Sequence, residues 1–210
     1  PDLASLISNM EEFNSDGNYL FSIMRGFRLE KLLFRLLDEN EFLSDYGIRS
    51  LSKYHEEHPY VFQHNGHHQI SYESGESQSN MFGGNSNWRG PIWLPLNYMI
   101  VQSLRKYYSY YGDQYVYEFP TGSGVKLNLN EIANEISKRL IKLFEPNENG
   151  KFVYHSEDEQ QLFTKNEQFK NEHFFYEFFD GDSGKGLGAS HQTGWTALIA
   201  NLIMELEQNS

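Results

Sequence analysis

At 210 residues the chain is long enough for one domain with a sizeable core, and 17 Lys and Arg against 29 Asp and Glu give it a formal net charge of -12. That charge argues against nucleic acid and against an anionic membrane surface as partners, since both want a basic face. With no cysteine, disulfide stapling and thiolate chemistry are excluded, and the absence of a run of about 18 apolar residues predicts no transmembrane helix.

Helical periodicity dominates the chain. Leu3, Leu6, Ile7 and Met10 share one face behind Asp2 as a cap, and Asp16-Gly17 reads as a turn. From Leu20 to about Asn40, Ile23, Met24, Phe27, Leu32, Leu33, Leu36 and Leu37 recur at helical spacing, with Gly26 as a weak point. The stretch from Leu43 to about Gly90 is rich in Ser, Gly, Asn and His. It carries only short extended pieces, Tyr60-Val61-Phe62 and Gln69-Ile70-Ser71-Tyr72, and a connection of that length points to function or to small hairpins. Pro95 suits the first turn of a helix whose face is Leu96, Ile100, Leu104, Tyr107, Tyr108 and Tyr111 and which Gly112 ends. After a loop containing Gly122-Ser123-Gly124, Asn128 and Glu131 form a capping-box pattern before Leu129, Ile132, Ala133, Ile136, Leu140, Leu143 and Phe144. Glu145 to about His173 reads as polar loop with an extended piece at Lys151–Tyr154, and a last helix is expected from Thr193 to Glu207. Several amphipathic helices must bury their stripes against one another, so functional residues are expected on the long connections. No internal repeat or domain boundary interrupts the chain, which reads as a single domain over residues 1–210.

Three stretches look unlike ordinary structure. They are Ser44 to Ser52, Gly83 to Trp93, and Phe175 to Asp182 continuing through Gly188 to Trp195. In the second, Trp88 and Trp93 offer flat apolar platforms and Arg89 a rigid fork of donors; the alternative is a loop whose Trp side chains plug the core and whose Arg pairs with an internal acid. In the third, Glu177 lies among Phe174, Phe175, Tyr176, Phe178 and Phe179, surroundings that tend to desolvate a carboxylate and raise its pKa; the alternative is a solvent-facing Glu on an edge strand. The tract His64 to His68 supplies no sound metal geometry and reads as a polar surface hairpin. Adjacent Ser190 and His191 with Asp182 do not by themselves make a triad, which needs placement in space. No metal or cofactor is expected.

Together the three stretches resemble glycoside hydrolase family 63. Tyr46-Gly47-Ile48-Arg49-Ser50-Leu51-Ser52, then Asn87-Trp88-Arg89-Gly90-Pro91-Ile92-Trp93 with Asn97-Tyr98, then Tyr176-Glu177 with Gly188-Ala189-Ser190 and Thr193-Gly194-Trp195-Thr196-Ala197 follow that family's order across residues 44 to 200. The resemblance, nearest to large bacterial members, implies a mainly α chain forming the C-terminal part of an (α/α)6 toroid with long loops and minor β-hairpins. It implies an inverting α-glucosidase in which Glu177 is the catalytic base, with Trp88, Arg89, Trp93, Tyr176 and Trp195 binding a carbohydrate substrate. Inverting enzymes place a proton donor opposite the base, the two carboxyls standing about 6.5–9.5 Å apart. The family's proton donor is an upstream Asp with no matching segment in this chain. The chain is therefore expected to be a fragment, inactive alone, whose exposed apolar faces favour self-association. A related hydrolase acting on mannosylglycerate or an α-mannoside, and a non-catalytic carbohydrate-binding module, are the competing readings. A bacterial cytoplasmic location is the accompanying expectation.

Overall fold

The computed structural model describes residues 14, 16–20, 22–24, 26–63, 66–78, 87–166, 168–169 and 172–208. The helix expected over Leu3–Met10 lies outside them. Among the described residues the fold is mainly helical, with four two-stranded antiparallel hairpins inserted between the helices.

Helix α1 (Phe27–Leu36) is shorter than the periodicity of residues 20–40 predicts. Gly26, at φ 49°, breaks the helical path and becomes its N-terminal boundary, and Leu29, Leu33 and Leu37 alone turn inward. Strands β1 (Leu43–Ser44) and β2 (Gly47–Ile48) form a tight buried hairpin. The extended pieces foreseen at 60–62 and 69–72 pair as β3 (Tyr60–Gln63) and β4 (His67–Ile70), in register Tyr60 to Ile70, with β3 wholly exposed.

Helix α2 (Leu94–Tyr111) starts with Pro95 in its first turn and ends at Gly112, whose φ of 62° a side chain would strain. Strands β5 (Val116–Glu118) and β6 (Lys126–Asn128) close a hairpin in a stretch that sequence reads as plain loop. Helix α3 (Leu129–Ile141) carries the expected capping box, Asn128 and Glu131 each accepting the other's backbone N–H. Its buried face of Leu129, Ile132, Ala133, Ile136 and Leu140 packs on α2 and on α6.

Two further departures from the sequence reading concern the C-terminal third. Helix α4 (Glu157–Lys165) occupies the expected loop, started by a second capping box, Ser156 with Glu159. The last helix is split into α5 (Thr193–Thr196) and α6 (Ile199–Gln208), because the turn at 197–198 redirects the chain into the core at Ile199 and Leu202. Among the described residues no helix is long and apolar enough to cross a membrane.

Asn97 is the polar pin of this core. It is fully buried on α2, its Oδ1 accepts from Ile48 N–H at 2.7 Å, and its Nδ2 donates to the carbonyls of Ile48 at 2.9 Å and Trp93 at 3.1 Å. Asn97→Ala strands both backbone groups of Ile48 away from water and is expected to cost about 3 kcal/mol, read by urea unfolding. A cost under about 1 kcal/mol would show that water takes the place of the amide.

Candidate active site

The three unusual stretches are far apart in sequence and adjoin in space. Arg49 bridges Ile92, and Ile92 bridges Phe179, both antiparallel; Ile92 and Phe179 exchange both backbone hydrogen bonds, at 2.8 and 3.0 Å. Phe179 belongs to β7 (Phe178–Phe179), which pairs with β8 (Gly186–Leu187). Ser50 N–H donates to the Pro91 carbonyl at 3.1 Å, and its hydroxyl accepts from Gly90 N–H at 3.0 Å. Gly90 must be glycine, since a Cβ there would lie 2.3 Å from the carbonyl oxygen of Glu73.

On this junction stands an aromatic stack. Trp93 is buried and donates Nε1–H to the Asn87 carbonyl at 2.9 Å. One side of it carries Trp88 at 3.8 Å and 4°, the other Phe178 at 4.7 Å and 21°. Trp195 closes the corner, tilted 57° to Trp93 at 5.5 Å and 59° to Trp88 at 6.3 Å. Trp88 remains 45% exposed, so the stack ends in a flat apolar surface open to solvent.

Glu177 lies beside this stack and is half-buried. Its N–H donates to the Ala189 carbonyl at 2.8 Å, and its Oε2 accepts from Ala189 N–H at 3.2 Å, so Ala189 meets both its backbone and its carboxylate. The close approach depends on Gly188, at φ 70°, where a Cβ would lie 2.7 Å from Glu177 Oε2 and 2.8 Å from the Phe178 ring. Gly188 thus leaves room between the carboxylate and the Phe178 ring that no other residue would leave. The other flanking aromatics turn into the core. Phe175 and Phe179 pack on Phe144, and Phe174 packs on His155 and Phe163.

Tyr176 is buried, as alternation along an extended segment requires of the residue before a half-exposed Glu. Its hydroxyl reaches Glu159 Oε1 on α4 at 3.3 Å, and burial foremost, then the Glu159 charge, pushes it well above the usual tyrosine range. Arg89 is also buried. It donates to Asn87 Oδ1 at 3.2 Å, Glu73 Oε2 at 2.7 Å and Ser77 Oγ at 2.5 Å, which braces the 73–78 loop against the Trp88 turn. The structure thus groups Trp88, Trp93 and Trp195 in one cluster with Phe178, next in the chain to Glu177, while Tyr176 turns to Glu159 and Arg89 to Glu73.

Sequence reasoning weighed Asp182 only beside Ser190 and His191, whereas in the structure it ties the first stretch to the third. Its carboxylate accepts from Arg49 at 3.0 Å and Tyr72 at 3.1 Å through Oδ1, and from Lys53 at 2.9 Å through Oδ2. Burial alone would raise its pKa; hydrogen bonds from Lys53 and Arg49, with their charges, outweigh that and hold it below the usual carboxylate range. Asp182 is therefore committed, and Ser190 and His191 form no triad with it. Within the tract 64–68, His64 and Asn65 lie outside the described residues. Among the described residues no group of three or more His, Asp or Glu side chains is placed to hold a metal ion.

Comparison with known proteins bears on the family. Residues 23–205 match the glycosyl hydrolase family 63 C-terminal domain. The chain is 49% identical over 201 residues to an uncharacterized protein of Saccharomyces cerevisiae, covering 95% of this chain and 18% of that protein. It is 27% identical over 177 residues to the mannosyl-oligosaccharide glucosidase of the same yeast, covering 84% of the chain and 15% of the relative. It is 25% identical over 177 residues to alpha-glucosidase 2 of Arabidopsis thaliana, covering 84% and 16%. The chain therefore spans less than a fifth of the length of these curated relatives. Their sources are eukaryotic, which overturns the expectation of a bacterial cytoplasmic protein. That expectation rested on likeness to bacterial members of the family. The match over most of the chain and the meeting of its three motifs at one surface lead to one assignment: the chain belongs to glycosyl hydrolase family 63.

Proposed function

We propose that this single domain supplies the base side of the active site of an inverting α-glucosidase built on an (α/α)6 toroid. The observation that supports the reading is the Glu177 carboxylate, which accepts from Ala189 N–H next in the chain to Phe178, the ring that stacks on Trp93 below the exposed Trp88. In this reading a glucosyl ring lies against Trp88 and Trp195. Glu177 draws a proton from a water molecule as the water's oxygen attacks the anomeric carbon, and the carbon–oxygen bond to the leaving group breaks on the opposite face. The proton for the leaving oxygen comes from a carboxyl group elsewhere in the longer polypeptide, so the isolated chain is inactive. Trp93 and Arg89 support the sugar surface from within, the one by stacking and the other by fixing the loop beside it.

The names of the relatives, mannosyl-oligosaccharide glucosidase and alpha-glucosidase 2, favour an α-glucoside over an α-mannoside as substrate. The test is the anomer first released by the intact protein from an α-glucoside, followed by proton NMR before mutarotation. β-Glucose is expected. Release of α-glucose would overturn the inverting reading, and turnover of mannosylglycerate or an α-mannoside in place of glucosides would move the substrate.

A further inference from the structure

The short helix α5 touches both halves of the candidate site. Trp195 packs on the Trp88–Trp93 stack, and its neighbour Thr196 is buried with its hydroxyl donating to the Tyr176 carbonyl at 2.5 Å. That carbonyl belongs to the peptide whose N–H is Glu177's own. Gln192 N–H adds a bond to the Phe175 carbonyl at 2.6 Å, and His191 bridges Phe175 in parallel. The segment 175–177 is thus laced to residues 189–196 along its length: Glu177 N–H to Ala189 and Gln192 N–H to Phe175 join backbone to backbone, which any sequence could supply, and Ala189 N–H reaches the Glu177 carboxylate. The hydroxyl of Thr196 adds a side-chain donor, and it grips the peptide immediately before the base.

We propose that Thr196 is a positioning residue for Glu177, fixing the carboxylate against the aromatic surface on which the sugar lies. The inference rests on the proposed role of Glu177 and deepens it. The argument is geometric. In-line attack by water tolerates little displacement of its base, and a misplacement of about 1 Å costs up to about 100-fold in rate. Thr196 touches neither sugar nor water in this arrangement, so its loss should act on kcat and leave binding to the Trp surface unchanged. Threonine suits the task because its methyl group fills the core while its hydroxyl meets a carbonyl that burial would otherwise leave unpaired.

The experiment is steady-state kinetics of the intact protein with Thr196→Val, Thr196→Ser and Glu177→Gln beside wild type, with thermal unfolding of each. Valine keeps the shape and removes the donor; kcat is expected to fall about 10- to 100-fold with KM within about twofold. Serine restores the donor and is expected to recover kcat to within a few-fold. A valine variant with wild-type kcat, or a serine variant as slow as valine, overturns the inference. So does a rise in KM matching the fall in kcat, or a valine variant that does not fold, because either shows the hydroxyl holding the fold or the sugar surface rather than aiming the base. The two readings fail separately: if Glu177→Gln abolishes turnover and Thr196→Val does not, only the positioning role falls. If Glu177→Gln is fully active, the role of Glu177 falls first.

Discussion

Glu177→Gln in the intact protein is expected to lower kcat on an α-glucoside by about 100- to 10,000-fold with little change in KM. Glutamine keeps the shape of the side chain and can still accept from Ala189 N–H, so the hydrogen bond at Oε2 and the packing about Gly188 survive. What is lost is the capacity to take a proton. Water must then attack the anomeric carbon unassisted, and the transition state loses the charge that would have drained its developing proton. The small effect on KM follows from the proposed seat of the sugar on Trp88 and Trp195, whose packing the substitution leaves in place. A non-catalytic carbohydrate-binding module predicts the reverse: no turnover in either protein and unchanged sugar affinity. Full activity of the glutamine variant would remove Glu177 from the mechanism altogether.

The parts of this arrangement that sequence could reveal are those with a local physical cause. The capping box at Asn128 and Glu131, Pro95 in the first turn of α2 and Gly112 at its end each act within a few residues, and each is where the pattern places it. The same logic applied to Ser156 and Glu159 would have found α4; its sparse apolar face hid it, since Leu162 is exposed and Phe163 packs on rings far along the chain such as Phe174. Gly26 shows the converse. Apolar spacing runs straight through it, yet a backbone at φ 49° ends the helix there, so periodicity overstates its length. The site divides in the same way. Glu177, Trp88 and Trp93 stand out by composition in short stretches, whereas the pairing of Arg49 with Asp182 spans 133 positions and leaves no local mark. Arg89 was a candidate for the sugar and also for an internal acid, and the structure gives it Glu73 as partner. Thr196 is invisible for another reason: one hydroxyl inside a helical pattern reads as a neutral helix residue until its acceptor is known.

Arg49→Met is expected to destabilise the protein by about 3 kcal/mol at pH 7, near the low end for breaking a buried pair because Asp182 keeps about a third of its side chain in water. Arg49 sits where the three motif stretches meet. Its backbone bridges Ile92, and its guanidinium bonds the carbonyls of Leu43 at 2.5 Å and Glu39 at 3.2 Å as well as Asp182 at 3.0 Å. Lysine cannot replace it, since a single ammonium cannot span carbonyls on one side and a carboxylate on the other. The acid limb separates these contributions. Asp182 has a folded pKa below its unfolded value of about 3.9, so the stability it adds is present above that value and is lost as pH falls through the folded pKa. Wild type should therefore lose stability through Asp182 on acidification, while Arg49→Met, lacking the main buried partner, should lose less from that source. The gap between the two proteins, measured by urea unfolding at steps from pH 7 to pH 3, is expected to narrow without closing. The part that closes belongs to Asp182, and the part that remains belongs to the carbonyls of Leu43, Glu39 and Glu41. A gap that stays constant would mean that Arg49 holds the motif junction through backbone alone, and that Asp182 owes its lowered pKa to Lys53.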